Sequence, residues 1–281
     1  MTDFSGQIWL ITGANKGLGA AIARAALARG CKVVAGARRV GEIEKALGTS
    51  PDLLPVALDI TSDEQVNAAV GAALNKFGRI DVVVNNAGYG LLGYFEEMTD
   101  KQIRDQMETN VYGAMQLVRA ALPAMRQQQS GLIVNVSSTS GIKSVEGGSV
   151  YSASKFAVEG WSEGLAIELE PFGIRTMIVE PGGMRTDFFN PKTSFNFAEL
   201  EIADYEGQRR ALLEHMTAMG PVVAGDPTRV AEAIFTALNA PEPPLRLLCG
   251  RYAVEAVDQY MTKRRNEFEA WRDVSNSTDF D

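Results

Sequence analysis

Thr12-Gly13-Ala14-Asn15-Lys16-Gly17-Leu18-Gly19 lies between an apolar run, Gln7–Thr12, and a helical pattern, Gly17–Arg29. Glycines at a strand-to-helix turn let the backbone bend sharply and approach a ligand with no side chain between. The helix that follows presents free N–H groups and the positive end of its dipole, which suits a pyrophosphate. No Gly-Lys-Ser/Thr closes the loop, so it is not a P-loop.

Working outward, short apolar runs alternate with longer helical patterns. Lys32–Ala37, Leu54–Leu58, Asp81–Asn85, Leu132–Val136, Arg175–Glu180 and Leu245–Cys249 read as further strands. Helices are predicted over 63–77, 100–127, 151–171 and 252–271, and from Asp226-Pro227 to Asn239. The strands are apolar along their length rather than alternating, as in a parallel sheet covered on both faces. The predicted fold is α/β: a doubly wound, Rossmann-type parallel sheet with right-handed crossovers and helices on both faces. Residues 1–250 are expected to form a single dinucleotide-binding catalytic domain, with an irregular substrate lid at 187–220, and residues 251–281 a C-terminal helical extension.

The end of the second strand bears on the cofactor. An acid about 20 residues after the glycines binds the ribose 2′-hydroxyl of NAD. This chain reads Gly36-Ala37-Arg38-Arg39 there, and its first acid is Glu42. Guanidinium groups hydrogen-bond a 2′-phosphate in a fork, whereas carboxylates repel it. With Lys16 as a second cation source, the pattern favours NADP(H).

Tyr151-Ser152-Ala153-Ser154-Lys155 puts a phenol and an ammonium one helical turn apart, on one face. A phenol working near neutrality must lose about 3 pH units, or about 4 kcal/mol, and an adjacent cation acts in that direction. Alone the spacing is weak, since chance supplies about half a match in a chain of this size. Its setting adds weight: Ser138 ends the fifth strand, at the carboxyl edge where open α/β sheets bind ligands.

Taken together, these motifs resemble the compact, single-domain branch of the short-chain dehydrogenase/reductase family. The resemblance covers about residues 5–250. It rests on the glycine loop, Asp59, Asn85-Asn86-Ala87-Gly88, Asn110, Ser138, Tyr151 with Lys155, and Pro181-Gly182 followed by Thr186. The thirteen-residue gap from Ser138 to Tyr151 also matches. The resemblance implies that Tyr151 exchanges the proton, Ser138 hydrogen-bonds the substrate oxygen, Lys155 holds the nicotinamide ribose, and Asn110 holds a relay water. It implies cofactor contacts from Gly13, Asn15, Lys16, Gly17, Leu18 and Gly19, and from Arg38 and Arg39. Asp59, Ile60, Asn86, Ala87, Gly88, Tyr151, Lys155, Pro181, Gly182 and Thr186 complete that expected cofactor-binding set. A homo-oligomer, dimer or tetramer, built through the long helices near 100–127 and 151–171, is implied by the resemblance alone.

Composition narrows the rest. A net charge of -8 argues against a nucleic-acid partner. No apolar run approaches the ~20 residues that cross a bilayer, and nothing resembles a signal peptide. Cys31 and Cys249 read as reduced thiols, so a cytoplasmic location is expected. No His/Cys/acid cluster points to a metal, and the single histidine, His215, reads as a surface or lid residue. Aromatic and methionine residues in 187–220, among them Phe188, Phe189, Phe195, Tyr205, Leu212 and Met216, suit a hydrophobic ketone, aldehyde or alcohol, though half can equally pack the lid. The alternative is an NADPH-sensing binding protein without turnover, which predicts a degraded catalytic set. A sugar-nucleotide epimerase shares the Tyr/Lys pair but differs in glycine spacing and carries a larger C-terminal domain.

Overall fold

A computed structural model describes residues 3–186, 195–222 and 224–280. The chain runs β1 (Ile8–Thr12), α1 (Gly17–Leu27), β2 (Lys32–Ala37), α2 (Val40–Leu47), β3 (Leu53–Ala57), α3 (Asp63–Phe77) and β4 (Val82–Asn85). Then come β5 (Gly90–Leu92), α4 (Asp100–Met107), α5 (Gly113–Gln128), β6 (Gly131–Val136), α6 (Ser149–Leu169) and β7 (Ile174–Pro181). The last elements are β8 (Phe195–Phe197), α7 (Glu206–Val222), α8 (Pro227–Leu238), β9 (Arg246–Cys249), α9 (Arg251–Ala270) and α10 (Arg272–Asn276).

Seven strands form one sheet in the order β3-β2-β1-β4-β6-β7-β9, with every neighbouring pair parallel. The predicted doubly wound sheet is therefore present, with all seven expected strands. Its physical basis is visible in β1, where Ile-Trp-Leu-Ile-Thr is buried throughout. Alternation sends Trp9 and Ile11 into the core under α1 and α8, and Ile8 and Leu10 into the core under α3, α5 and α6. Trp9 stacks on Phe235 of α8 at 4.8 Å between ring centroids, closing the first core. Burying each such side chain contributes about 1.5–3 kcal/mol.

The chain winds outward from β1 to β3, then crosses back to place β4 on the other side of β1. That reversal opens a crevice at the carboxyl ends of β1 and β4, where ligands bind in open sheets.

Three stretches differ from the expectation. Helix α2 follows the arginine pair directly, a short amphipathic stretch that was unread. The predicted helix over 100–127 is interrupted by a π-helical turn, Glu108–Tyr112. In the span read as irregular, Phe195–Phe197 pairs parallel with Gly90–Leu92 as a separate two-stranded sheet, and α7 is helical. Helix α10 follows α9 near the C-terminal end of the described residues. The lid reading over 187–194, Phe188 and Phe189 included, falls outside the described residues. No helix among those described is long and apolar enough to cross a membrane.

Candidate active site

One side chain joins the two loops at the crevice. Thr12, the last residue of β1, accepts hydrogen bonds on Oγ1 from the backbone N–H groups of Asn86 and Ala87, both at 2.9 Å. Asn86 answers with its side-chain amide, which donates to the Thr12 carbonyl at 2.9 Å. The glycines follow from this closeness. A Cβ on Gly13 would lie 2.9 Å from Asn86 Nδ2, and one on Gly19 would lie 2.4 Å from it. Gly13 and Gly17 also adopt left-handed backbone, at φ of 64° and 54°.

Helix α1 begins at Gly17 with Lys16 as an extended N-cap whose side chain makes no capping bond. The first N–H groups of the helix thus face the cleft with its positive dipole end. On the far rim Arg38 is exposed. Arg39 is paired with Glu42 of α2, which also accepts from Asn15 Nδ2 at 2.7 Å. The bond from Arg39 holds the Glu42 carboxyl below its ordinary range. Asp59 accepts from the N–H and hydroxyl of Thr61, at 3.0 and 2.7 Å. Thr186 lies across the cleft from the glycine loop, 3.6 Å from where a Cβ on Gly17 would point.

The other end of the cleft carries the acid/base chemistry. Strand β6 runs into Ser137 and Ser138, and Ser138 Oγ accepts from the Ser140 N–H at 3.1 Å, capping a short turn. The same hydroxyl hydrogen-bonds Tyr151, which α6 presents from its first turn. Lys155 follows one turn later, donating from Nζ to the Val136 carbonyl at 2.9 Å and lying 5.9 Å from the Tyr151 ring centroid. Both are buried, at 8% and 7% exposure.

Burial, not the ammonium, dominates their titration. It pushes the Tyr151 phenol up to about 12, with the Ser138 bond pulling back. It brings Lys155 down to about 8, with the Glu159 charge opposing. The expected lowering of the phenol by Lys155 is therefore not a property of the protein alone, because desolvation penalises both charged forms.

Asn110 sits on the π turn, 3% exposed. Its amide donates to the Tyr89 carbonyl at 3.0 Å and to Ser154 Oγ at 3.1 Å, and its Oδ1 accepts from the Tyr89 N–H at 3.1 Å. A Cβ on Gly88 would meet Asn110 Oδ1 at 3.0 Å and Lys155 Nζ at 4.0 Å, so all three crowd one point. Asn110 thus backs the cleft instead of lining it.

The cleft itself measures about 1270 Å³. Every residue expected to touch cofactor lines it except Gly19, which is spent on packing the loop against Asn86. Ser138 lines it as well. Residues that sequence reasoning missed include Glu42, Glu146, Met184 and Asn196. Only Glu42 had a signal, its position three residues after Arg39. His215 is exposed on α7, and no group of three metal-ligating side chains occurs among the described residues.

A dinucleotide fits these features: glycines where a Cβ would clash, an uncapped helix start, cations at one end and an acid/base pair at the other. The volume exceeds the ~300–1,000 Å³ of ordinary ligand pockets, leaving room for a second reactant. A family model described as short chain dehydrogenase matches residues 7–196. The chain belongs to the short-chain dehydrogenase/reductase family. A short-chain dehydrogenase from Streptomyces avermitilis is 41% identical, with 98% of this chain and 100% of that one covered and a TM-score of 0.88. A family member from Burkholderia phymatum in complex with NAD is 26% identical, covering 95% and 97% of the two chains at a TM-score of 0.84. One from Burkholderia cenocepacia in complex with NADP is also 26% identical, covering 96% and 98% at 0.73. This short-chain dehydrogenase/reductase is accordingly an oxidoreductase whose structural neighbours bind either nicotinamide dinucleotide.

Proposed function

We propose that this short-chain dehydrogenase/reductase uses NADP(H) to interconvert a hydrophobic ketone or aldehyde with its alcohol. The observation that carries the reading is the alignment of Ser138, Tyr151 and Lys155 at the end of the cleft opposite Arg38, Arg39 and Lys16. When bound, the nicotinamide supplies or takes the hydride. Ser138 and Tyr151 hold the substrate oxygen between two hydroxyls, an arrangement that stabilises charge as it develops there. In the reductive direction Tyr151 gives its proton to that oxygen; in the oxidative direction it receives it. Lys155, once charged, stabilises the phenolate left behind and orients the ribose. Pro181, Gly182 and Thr186 would border the carboxamide, and Asp59 and Ile60 would border the adenine.

Tyr89, Leu92, Val145, Met184, Phe195 and Met216 surround the space beside the tyrosine, and their largely apolar character supports a hydrophobic substrate. The exposure of Tyr112, Phe156 and Ile167 on the long helices supports a homo-oligomer, which sedimentation at working concentration tests. The central experiment is a panel of hydrophobic carbonyls and alcohols followed by NADPH absorbance, with NADH run in parallel. Turnover of at least one with NADPH preferred is expected; NADPH binding without turnover of any carbonyl or alcohol counts against the reading.

A further inference from the structure

Strand β7 is apolar except near its ends, yet it carries Glu180 facing inward, 2% exposed. Helix α6 places Glu159 one turn beyond Lys155, 7% exposed. Buried carboxylates persist only where donors compensate them. The donor here is Arg246 of β9. Its Nε is 3.2 Å from Glu159 Oε2 and 3.6 Å from Glu180 Oε1, while its Nη2 is 2.8 Å from Glu163 Oε2. One guanidinium faces three acids, so it cannot neutralise them all.

With both buried acids ionised, Oε1 of Glu159 and Oε1 of Glu180 are left without any hydrogen-bond partner. A single proton shared between them relieves this, because the same Arg246 Nε lies beside both carboxyl groups and each acid acts on the other's titration. One then donates and the other accepts, as close carboxyl pairs do elsewhere. Ser137 Oγ is a third buried oxygen, close to Glu159 but outside good hydrogen-bond geometry.

The pair sits directly behind the chemistry. A Cβ on Gly141 would lie 2.6 Å from Ser137 Oγ, 2.9 Å from Glu159 Cγ and 3.1 Å from the Lys155 carbonyl oxygen. The turn that carries Ser138 therefore closes onto Glu159 and Lys155 with no room to spare.

We propose that Glu159 and Glu180 share one proton, and that Glu159 is a positioning residue whose charge keeps the buried Lys155 amine protonated for Tyr151. This rests on the roles given above to Tyr151 and Lys155. The titratable groups facing the pair are Lys155 and Glu163 from α6 and Arg246 and Cys249 from β9. Cys249 adds no charge, since burial and then Glu180 push its thiol up to about 11. Burial and the Glu159 charge push Glu180 up to about 7, consistent with a retained proton.

The two acids then make opposite predictions. Glu159→Gln moves the negative charge across the pair to Glu180, away from Lys155. Glu180→Gln leaves Glu159 ionised beside Lys155. The test is the NMR titration of ¹³Cε-lysine-labelled full-length protein, with the Lys155 signal assigned by its loss in Lys155→Met. In E159Q the Lys155 midpoint is expected to fall by about one pH unit; in E180Q it stays or rises. An unmoved midpoint in E159Q, or the same fall in both variants, overturns the proposal.

Should E159Q fail to fold, the wild type still decides. Infrared spectra of ¹³C-glutamate-labelled protein at about pH 6 are expected to show a protonated carboxyl band from a buried pair, when exposed acids are almost wholly ionised. Absence of that band also overturns it. Neither readout needs turnover, so a failed carbonyl panel leaves this test intact and counts only against the proposed reaction.

Discussion

Asn15 of the glycine loop and Glu42 of α2, both lining the cleft, are joined by a 2.7 Å hydrogen bond from the asparagine amide to the carboxylate. Arg39 pairs with the same carboxylate, and Arg38 beside it is exposed. A 2′-phosphate arriving there meets one carboxylate among the cations. Glu42→Ala removes the repulsion and releases Arg39, so NADPH is expected to bind about threefold to tenfold tighter with NADH little changed. The reverse change, Arg38→Asp with Arg39→Ala, is expected to move preference toward NADH. Fluorescence titration of both dinucleotides checks each variant; an unaltered ratio throughout would overturn the 2′-phosphate assignment.

Tyr151→Phe keeps the ring and removes only the hydroxyl. Turnover is expected to fall at least 100-fold while NADPH affinity stays within about threefold, since general acid/base groups contribute that much to rate. Steady-state assays beside the same binding titration check it. Activity above a tenth of wild type sinks the assigned role.

Lys155 offers a stability test with a definite sign. Its amine is brought from the ordinary 10.5 down to about 8, chiefly by burial. Between those values the unfolded chain holds the proton more often than the folded one, so wild-type stability rises with pH across that window. Lys155→Met carries no charge to bury. It is expected to be more stable than wild type below pH 8, by on the order of 3 kcal/mol, with the gap shrinking toward pH 10.5. Denaturant melts of both proteins at neutral pH and near pH 10 measure the gap, and a constant gap refutes the idea.

Glu97 is wholly buried beside β5, where it accepts from the Ile202 N–H at 3.0 Å and pairs with Arg209 of α7. Arg209→Met strands that carboxylate, at a cost of about 3–5 kcal/mol if the surroundings do not rearrange. Hydrogen exchange is expected to speed up over 195–210, and adding Glu97→Gln is expected to restore part of the protection. A double variant no better protected than the single one would show that the pair does not hold the segment.

Long elements with a clear period were legible. All seven strands of the main sheet and the helices α1, α3, α6, α8 and α9 were readable, because burial on both faces or on one stripe dictates their residue pattern. Three-residue strands such as Gly90–Leu92 and Phe195–Phe197 carry too few residues for any period, and only their mutual pairing defines them. The π turn under Asn110 was hidden because one extra residue in a helix leaves the apolar stripe nearly intact. The motif reading brought Ser138, Tyr151 and Lys155 together, yet it misjudged the phenol, since a spacing rule reports neighbours and not the loss of water. Glu159 and Glu180 were visible as acids in apolar company, but their meeting depends on β7 lying against α6.

The segment from Phe195 through α7 is fastened at the mouth of the cleft. Phe195–Phe197 runs beside Gly90–Leu92, Arg209 reaches Glu97, and Tyr205 stacks on Tyr94 with ring centroids 5.0 Å apart. None of these anchors touches the Thr12–Asn86 clasp or the arginine rim. The covering piece can therefore diverge, or be exchanged between relatives, while nucleotide recognition stays as it is. A scaffold divided in this way allows the range of accepted molecules to change without rebuilding the machinery that moves the hydride.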